Sequence, residues 1–418
     1  MQKLSSGSEW ALLLAPESPY PMTSGGAVRT ASICLFLSAR FRLHLVGFKV
    51  GNGMEAAPAL PAGAAERVDW ISLPNHSRRM PARLARNVSR LSRSVLPLTD
   101  RFSGAESMGR VARTLAGRSY RIAVLEHFWS AHYEELVRQH AGLIVMDMHN
   151  VESAFHARCA ETEAWPERWA HRRFAALAAR EESRWLPRFD LVLAASEADR
   201  QRILGLAPGA RVAVYPNAVP ARFPEECAEE HCIAFSGNLA YHPNTAAVRY
   251  FAREIWPVLR RRDPALRWRL IGSNPQAVQR WIAGNPSIEA TGPVEDALAE
   301  LARIRLAVVP LRVGSGTRVK ILEAWAAGRA VVSTRIGAEG LPAVHGENLL
   351  LADSPADMVE QICALLANEE LRRRLGRAGR RAVEQSFCWP VAWRTLEENL
   401  VQLVEDRTTV AGRTGSSW

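Results

Sequence analysis

The sequence predicts an α/β protein made of two successive doubly wound domains. Its 418 residues exceed one ordinary core and suit two domains of roughly 200 residues each. Short apolar runs alternate with stretches of helical spacing, the pattern of a parallel sheet covered on both faces. The alternation begins afresh after Pro224, which marks a second domain. Hydrophobic content of 48% against 23% charged residues excludes a disordered chain.

In the first series, strands are predicted at residues 10–15, 43–48, 122–126, 143–148 and 191–195, with helices at 30–39, 133–140 and 164–186. The second series places strands at 233–236, 268–272, 306–310, 330–334 and 349–352. Its helices fall around 244–262, 276–283, 295–303, 318–327, 355–367 and 369–385. The junction lies near 219–231, giving a first domain over 1–222 and a second over 223–388. The end of the chain, Gly-Arg-Thr-Gly-Ser-Ser-Trp, reads as part of a flexible tail over 406–418. The first apolar run stops at Pro16 after about five residues, too short for a secretory leader. No run approaches the roughly 18 apolar residues of a membrane-spanning helix. The chain is therefore expected in the cytoplasm.

Six cysteines stand at 34, 159, 227, 232, 363 and 388, and only Cys227 and Cys232 are close together. They cannot complete a four-ligand zinc site and read as reduced packing thiols. No Asp-x-Asp stands at a strand end, so neither a metal nor a resident cofactor is expected.

The net charge of +10 suits nucleic acid, anionic lipid or phosphorylated substrates without choosing among them. Nucleic acid is disfavoured because aromatic and basic residues do not interleave as a stacking platform. Arg79, Arg83, Arg86, Arg90 and Arg93 recur at spacings of 4, 3, 4 and 3, so they share one helical face. Met80, Leu84, Val88, Leu91 and Val95 recur on another face. Such a helix can lie on an anionic membrane surface, and it equally suits a surface helix with its apolar side packed on the domain.

In open parallel sheets, ligands bind beyond the carboxyl ends of the strands. Two sheets in tandem therefore predict a central cleft lined by loops of both domains. After the strand at 306–310 comes Gly314-Ser315-Gly316-Thr317-Arg318, then Lys320 and Glu323 on a helix. Glycines let backbone N–H groups approach an anion, and a helix start adds unpaired donors. Arg318 and Lys320 would supply charge for a diphosphate, and Glu323 could accept from ribose hydroxyls. The Gly-Lys-Ser/Thr ending of a Walker loop is missing. A plain turn followed by a helix fits the same residues. Gly25 and Gly26 follow the first strand, where a phosphate turn or a simple strand-to-helix turn would serve. His127 and His149 follow the strands at 122–126 and 143–148, placing both at ligand-facing strand ends.

Several ordered segments together resemble the family 4 retaining glycosyltransferases. They are Ile-Ala-Phe-Ser-Gly-Asn-Leu-Ala-Tyr-His-Pro-Asn at 233–244, Trp-Arg-Leu-Ile-Gly at 268–272, Thr-Gly-Pro-Val at 291–294 and the stretch 308–323. Ala-Val-Val-Ser-Thr at 330–334 and His-Gly-Glu-Asn at 345–348 continue the pattern. Pro-Tyr-Pro at 19–21 and Ser-Gly-Gly at 24–26 fit the same family, within it the bacterial exopolysaccharide-associated sugar transferases. The resemblance spans roughly residues 10–400. It implies the GT-B fold, two Rossmann-like domains facing a central cleft, with a helix near 389–405 returning to the first domain. It implies a sugar moved with retention from a nucleoside-diphosphate donor, held mainly by the second domain, to a lipid-linked or polysaccharide acceptor on the first. Donor-binding residues would be Gly25, Gly26, Gly237, Asn238, Gly272, Gly314, Ser315, Gly316, Thr317, Arg318, Lys320 and Glu323. His127, with His149 as second choice, would face the reacting sugar. A sugar-nucleotide epimerase and a non-catalytic binding protein of the same fold are the alternatives.

Two departures from the family pattern refine these roles. The first Glu of the family's paired acidic positions is Ser315 here, the second is Glu323. Where many members carry Arg and Lys after the first strand of the second domain, this chain has Asn238 and His242. Arg318 and Lys320 are then expected to carry the diphosphate charge.

Overall fold

The computed structural model describes residues 8–22, 24–50, 59–73, 80–102, 104–225, 227–313 and 318–414. It divides into two compact units. The first takes Met1–Met22, Arg29–Pro216 and Trp393–Trp418; the second takes Thr23–Val28 and Asn217–Ala392.

The first unit is built on a sheet of seven strands, β1 (Trp10–Ala15), β2 (Arg42–Val50), β3 (Arg67–Leu73), β4 (Tyr120–Glu126), β5 (Ala141–Met148), β6 (Leu191–Ala194) and β7 (Val212–Val214). Its order is β3-β2-β1-β4-β5-β6-β7, and all neighbours run parallel. Strand order therefore reverses between β1 and β4, the switch point where ligands settle in such sheets. Leu12, Leu14, Ala123, Leu125, Ile144 and Met146 are fully buried in the core. The central strands are apolar along almost their whole length because helices cover both faces.

The second unit repeats the plan with β8 (Glu230–Ser236), β9 (Arg267–Ile271), β10 (Ile288–Gly292), β11 (Ile304–Val309), β12 (Ala330–Ser333) and β13 (Leu350–Leu351). The order β10-β9-β8-β11-β12-β13 is again all parallel, with its switch point between β8 and β11. Trp256, Trp268 and Phe251 pack as a ring cluster, centroids 4.6–6.5 Å apart.

Residues 217–222, read from sequence as part of the first domain, group with the second unit. Backbone bonds explain it: Val219 N–H donates to Phe387 O at 2.9 Å, and Trp389 N–H donates to Val219 O at 3.0 Å. The expected helix at 133–140 is a 3-10 turn, Phe128–Tyr133, followed by one α-turn, Glu134–Val137. The expected helix at 244–262 contains a π-turn, Phe251–Ile255, just ahead of Pro257, which cannot donate a helical hydrogen bond.

The arginine-rich helix forms at Met80–Ser92, with Leu91 of its apolar side packed against the core and Arg93 exposed, but two positions depart from the expected faces. Arg90 is buried, and its Nε donates to Asp100 Oδ2 at 3.1 Å. Arg93 Nη2 stands 3.8 Å from the same carboxylate. Val88, on the expected apolar side, is 60% exposed. The Asp100 carboxylate accounts for the burial of Arg90. Arg79 and the side chain of Arg83 lie outside the described residues.

Candidate functional site

In the first unit, the carboxyl ends of β4 and β5 deliver Glu126, His127, Asp147 and His149 to one buried cluster. Arg29, from helix Gly25–Ser38, is its counter-ion: Nε donates to Asp147 Oδ2 at 2.8 Å, and Nη1 donates to Tyr215 O at 2.7 Å. Arg29 and Asp147 are 1% and 0% exposed, respectively. Burial alone would raise the Asp147 pKa, but Arg29 and His149 outweigh it and hold the carboxyl well below the usual range. Glu126 goes the other way. Burial, then the neighbouring Asp147 charge, pushes its pKa well above the ordinary carboxylate value, although Thr30 Oγ1 bonds its Oε2. Glu126 Oε1 has no hydrogen-bond partner among the described residues.

His127 and His149 are brought together, ring centroids 3.6 Å apart, and Trp129 stacks on the other face of His127 at 4.2 Å. His127 has φ 58°, a conformation that non-glycine residues seldom adopt. Burial and His149 drive its pKa well below the ordinary value, so the ring is neutral, and its Nε2 has no hydrogen-bond partner among the described residues. His149 Nε2 stands 3.3 Å from Asp147 Oδ2 and 3.7 Å from Glu126 Oε2. Glu126, Asp147 and His149 could each offer one ligand atom within 4.8 Å of the others. A cation there would face the buried Arg29 guanidinium, which already occupies both Asp147 oxygens. The donor set is spent on an internal ion pair and fits a metal poorly.

In the second unit, the carboxyl ends of β8 and β9 finish in glycines. Gly237 and Gly272 have φ 131° and 135°, and a Cβ on Gly272 would lie 2.9 Å from the Gly237 carbonyl carbon. Asn244 Nδ2 donates to Asn238 O at 2.8 Å, and Asn274 Nδ2 donates to Asn238 Oδ1 at 2.9 Å, which fixes this turn. Lys320 and Glu323 come from helix Val319–Ala326, and the Lys320 Cε would lie 3.8 Å from a Cβ on Gly237. Ser236 Oγ donates to Glu323 Oε2 at 3.3 Å. Burial, then the Arg318 charge, lowers the Lys320 pKa to about 8. Burial raises that of Glu323, with Lys320 opposing. Lys320 Nζ lies 5.4 Å from the Phe235 ring centroid and forms no ion pair among the described residues.

Gly237, Asn238, Gly272, Lys320 and Glu323 therefore converge at one switch point, and His127 and His149 at the other. Gly25 and Gly26 open helix Gly25–Ser38, and a Cβ on Gly25 would lie 3.2 Å from Val319 Cγ2. Gly314, Ser315, Gly316 and Thr317 lie outside the described residues. Arg318 is buried close enough to Lys320 to lower its pKa, and its Nε donates to Ile336 O at 3.3 Å, with Glu339 3.9 Å away. Arg29 and Thr30 were missed from sequence, because nothing local marks an Arg in an apolar helix as the partner of an Asp 118 positions on.

Residues 230–368 match the family described as Glycosyl transferases group 1. An uncharacterized glycosyltransferase of Methanocaldococcus jannaschii is 38% identical over 84 residues, 20% of this chain and 23% of that protein. An exopolysaccharide phosphotransferase of Streptomyces coelicolor is 28% identical over 234 residues, 53% of this chain and 24% of that protein. The chain thus spans about a quarter of the length of these curated relatives. Among solved structures, sucrose-phosphate synthase from Thermosynechococcus elongatus superposes with a TM-score of 0.68 at 16% identity, covering 95% of this chain and 100% of that one. The Anabaena protein HepE, crystallised with UDP and glucose, superposes with a TM-score of 0.62 at 14% identity, covering 93% and 99%. The two Rossmann-like parallel-sheet units are those of the GT-B glycosyltransferase fold.

Proposed function

We propose that the chain is a retaining glycosyltransferase of the family 4 type, moving a hexose from a nucleoside-diphosphate donor to a lipid-linked or polysaccharide acceptor. One observation carries the reading. Two glycine-bared strand ends meet beside Lys320, a cation that forms no ion pair among the described residues, with Glu323 one helical turn away. That combination suits a diphosphate: peptide N–H groups can approach closely, and the charge is held ready in a site of low polarity. Glu323, anchored by Ser236, is placed for the ribose hydroxyls. Lys320 and the backbone donors would take up the charge that develops on the departing diphosphate, the main electrostatic task of the reaction. The reaction so written needs no metal and no resident cofactor. His127 would contact the transferring sugar and the first unit would hold the acceptor.

The group 1 match over 230–368 supports the donor assignment. HepE, crystallised with UDP and glucose, makes UDP the first nucleotide to try. The Streptomyces coelicolor relative supports a place in exopolysaccharide or surface-glycan synthesis, on the cytoplasmic side.

A thermal-shift and titration series with UDP, GDP, ADP, dTDP and their sugars tests the reading, since a ligand at a hundred times its Kd stabilises by about 2.7 kcal/mol. Stabilisation by at least one sugar nucleotide, and its loss on Lys320→Ala, is expected. No stabilisation by any of them would overturn the donor site. Conversion of the sugar nucleotide to an isomer with no acceptor present would replace transfer by epimerisation.

A further inference from the structure

The chain places nearly all its positive charge in arginine. Of its 53 Lys and Arg residues only three are lysines: Lys3, Lys49 and Lys320. A guanidinium stays charged at any physiological pH, whereas an amine can lose its proton and become a nucleophile. Lys320 stands where that difference matters. It is half-buried, neither sealed in the core nor wholly in water, and it forms no ion pair among the described residues. A Cβ on Gly237 would lie 3.8 Å from Lys320 Cε, so a bare glycine leaves space along the lysine stem. The Phe235 ring centroid is 5.4 Å from Nζ and supplies an apolar wall. Glu323, three positions on, accepts from Ser236 Oγ at 3.3 Å. Burial, then the Arg318 charge, brings the Lys320 pKa down to about 8 against the opposing pull of Glu323. At about pH 7.5 roughly a quarter of such an amine is neutral, against about one part in a thousand for an ordinary lysine.

We propose that Lys320 is an acylation site that takes its acyl group from acyl phosphates, and that its modification closes the donor site. The surroundings of the amine select this class of reagent. The Arg318 charge that helps to drive a proton off Lys320 also attracts a small anion, so activation of the amine and capture of the reagent share one cause. An acyl phosphate carries its anionic phosphate as the leaving group. The Nζ lone pair attacks the acyl carbon, the carbon–oxygen bond to phosphate breaks, and phosphate departs with the electron pair. One Nζ proton passes to water, and the product is a neutral amide. The step consumes no oxidant or reductant. Acylation removes the cation and adds bulk beside Gly237, so a diphosphate meets an amide where an ammonium stood. That consequence rests on the diphosphate role proposed for Lys320; the acylation itself does not.

The full chain is incubated with acetyl phosphate at neutral pH and sampled over time by peptide mass spectrometry. Trypsin cuts after Arg318 and Arg329, so acetylated Lys320 is read as the uncut peptide 319–329. Lys49, on β2 of the same molecule, is the internal reference. Lys320 should be acetylated about tenfold or more faster than Lys49, and the preference should vanish in the urea-unfolded chain. Acetic anhydride, which brings no phosphate, should show a smaller preference. Inorganic pyrophosphate should slow acetylation at Lys320 and leave that at Lys49 unchanged. The acetylated protein should bind sugar nucleotides about tenfold or more weakly. Acetylation of Lys320 no faster than that of Lys49 overturns the proposal, as does an equal preference with acetic anhydride. Sugar-nucleotide binding that survives full acetylation overturns the closing of the donor site. Fast acetylation in a chain that binds neither pyrophosphate nor any sugar nucleotide would support the acylation site and count against the donor reading.

Discussion

Gly272 presents its bare Cα to the Gly237 peptide so closely that a Cβ would fall 2.9 Å from the carbonyl carbon and 3.2 Å from the amide nitrogen of Gly237. Gly272→Ala must therefore push two strand ends apart as well as adopt φ 135°. A cost of about 3 kcal/mol or more is expected in urea unfolding, together with loss of nucleotide binding. Gly284→Ala is the control. It shares a positive φ of 76° but has nothing within 4 Å of the added carbon, so it should cost about 1–2 kcal/mol and leave binding intact. Equal effects from the two variants would show that the close approach is immaterial.

The proposed donor role of Lys320 predicts that nucleotide affinity depends on pH. The ammonium is charged below about 8 in the free protein, so nucleoside-diphosphate affinity should fall as pH rises through that value. Folding shows the opposite sign. With its pKa lowered on folding, the unfolded chain binds more protons between about 8 and the ordinary lysine value, so this group's contribution to stability improves as pH rises there. Lys320→Met should consequently raise the melting temperature of the free protein at neutral pH. The same variant should weaken diphosphate binding about tenfold to a hundredfold. Calorimetric titration across pH 6 to 9 for wild type and variant checks both signs. A pH-independent wild-type affinity would show that Lys320 does not meet the diphosphate.

The buried Arg29–Asp147 pair should behave as a unit. Breaking it from either side, Arg29→Met or Asp147→Asn, strands the other charge and should cost about 3–5 kcal/mol. The double variant should be less damaged than the sum of the two singles, a coupling that a double-mutant cycle measures. Acid titration of stability separates the neighbouring carboxyls. Asp147, held low on folding, contributes stability above its unfolded pKa that is lost as pH falls through its folded value. Glu126, held high, contributes stability below its unfolded pKa that is lost as pH rises. Glu126→Gln should therefore flatten the loss on the neutral side, and Asp147→Asn the loss on the acid side.

His127 offers a test of site against scaffold. His127→Phe keeps a ring for the stack between Trp129 and His149 but removes an Nε2 that no described residue engages. Stability should change by less than about 1 kcal/mol. Sugar transfer should fall about tenfold to a hundredfold, the value of one hydrogen bond to the reacting sugar. A fully active His127→Phe enzyme would confine the residue to packing.

The strands legible in the sequence are the largely buried ones: β1, β2, β4, β5, β6, β8, β9, β11, β12 and β13 read as apolar runs. The strands β3, β7 and β10 were missed. β3 and β10 stand at sheet edges, where half-exposed positions admit Arg67, Asp69 and Glu289, and the three-residue β7 closes the other edge of its sheet. Periodicity grouped the arginines of 79–93 onto one face but could not tell that Arg90 would be buried on Asp100, beyond the end of the helix. Gly237, Gly272, Lys320 and Glu323, which the structure brings together at the second unit's switch point, were marked in the sequence by their places at strand ends and a helix start. Arg318 also stands at the helix start and acts on Lys320, while its contacts with Ile336 and Glu339 are long-range and carry no local signal.

The first unit is closed by residues far along the chain. Trp393 Nε1 donates to Ser32 O at 3.1 Å, Arg40 pairs with Glu397 at 2.9 Å, and Arg407 Nη1 donates to Gly142 O at 2.7 Å. On the ribosome, the sheet β1–β7 is made first and its last helix only after the whole of Asn217–Ala392 has emerged. At about 5–20 residues per second, that delay is about 10–40 s. Over that interval the first unit lacks the side chains of Leu396, Leu400 and Leu403, which are buried in the finished protein, and holding it in that state is a task for cotranslational chaperones. For the same reason, expressing the amino-terminal half alone would yield an incomplete fold.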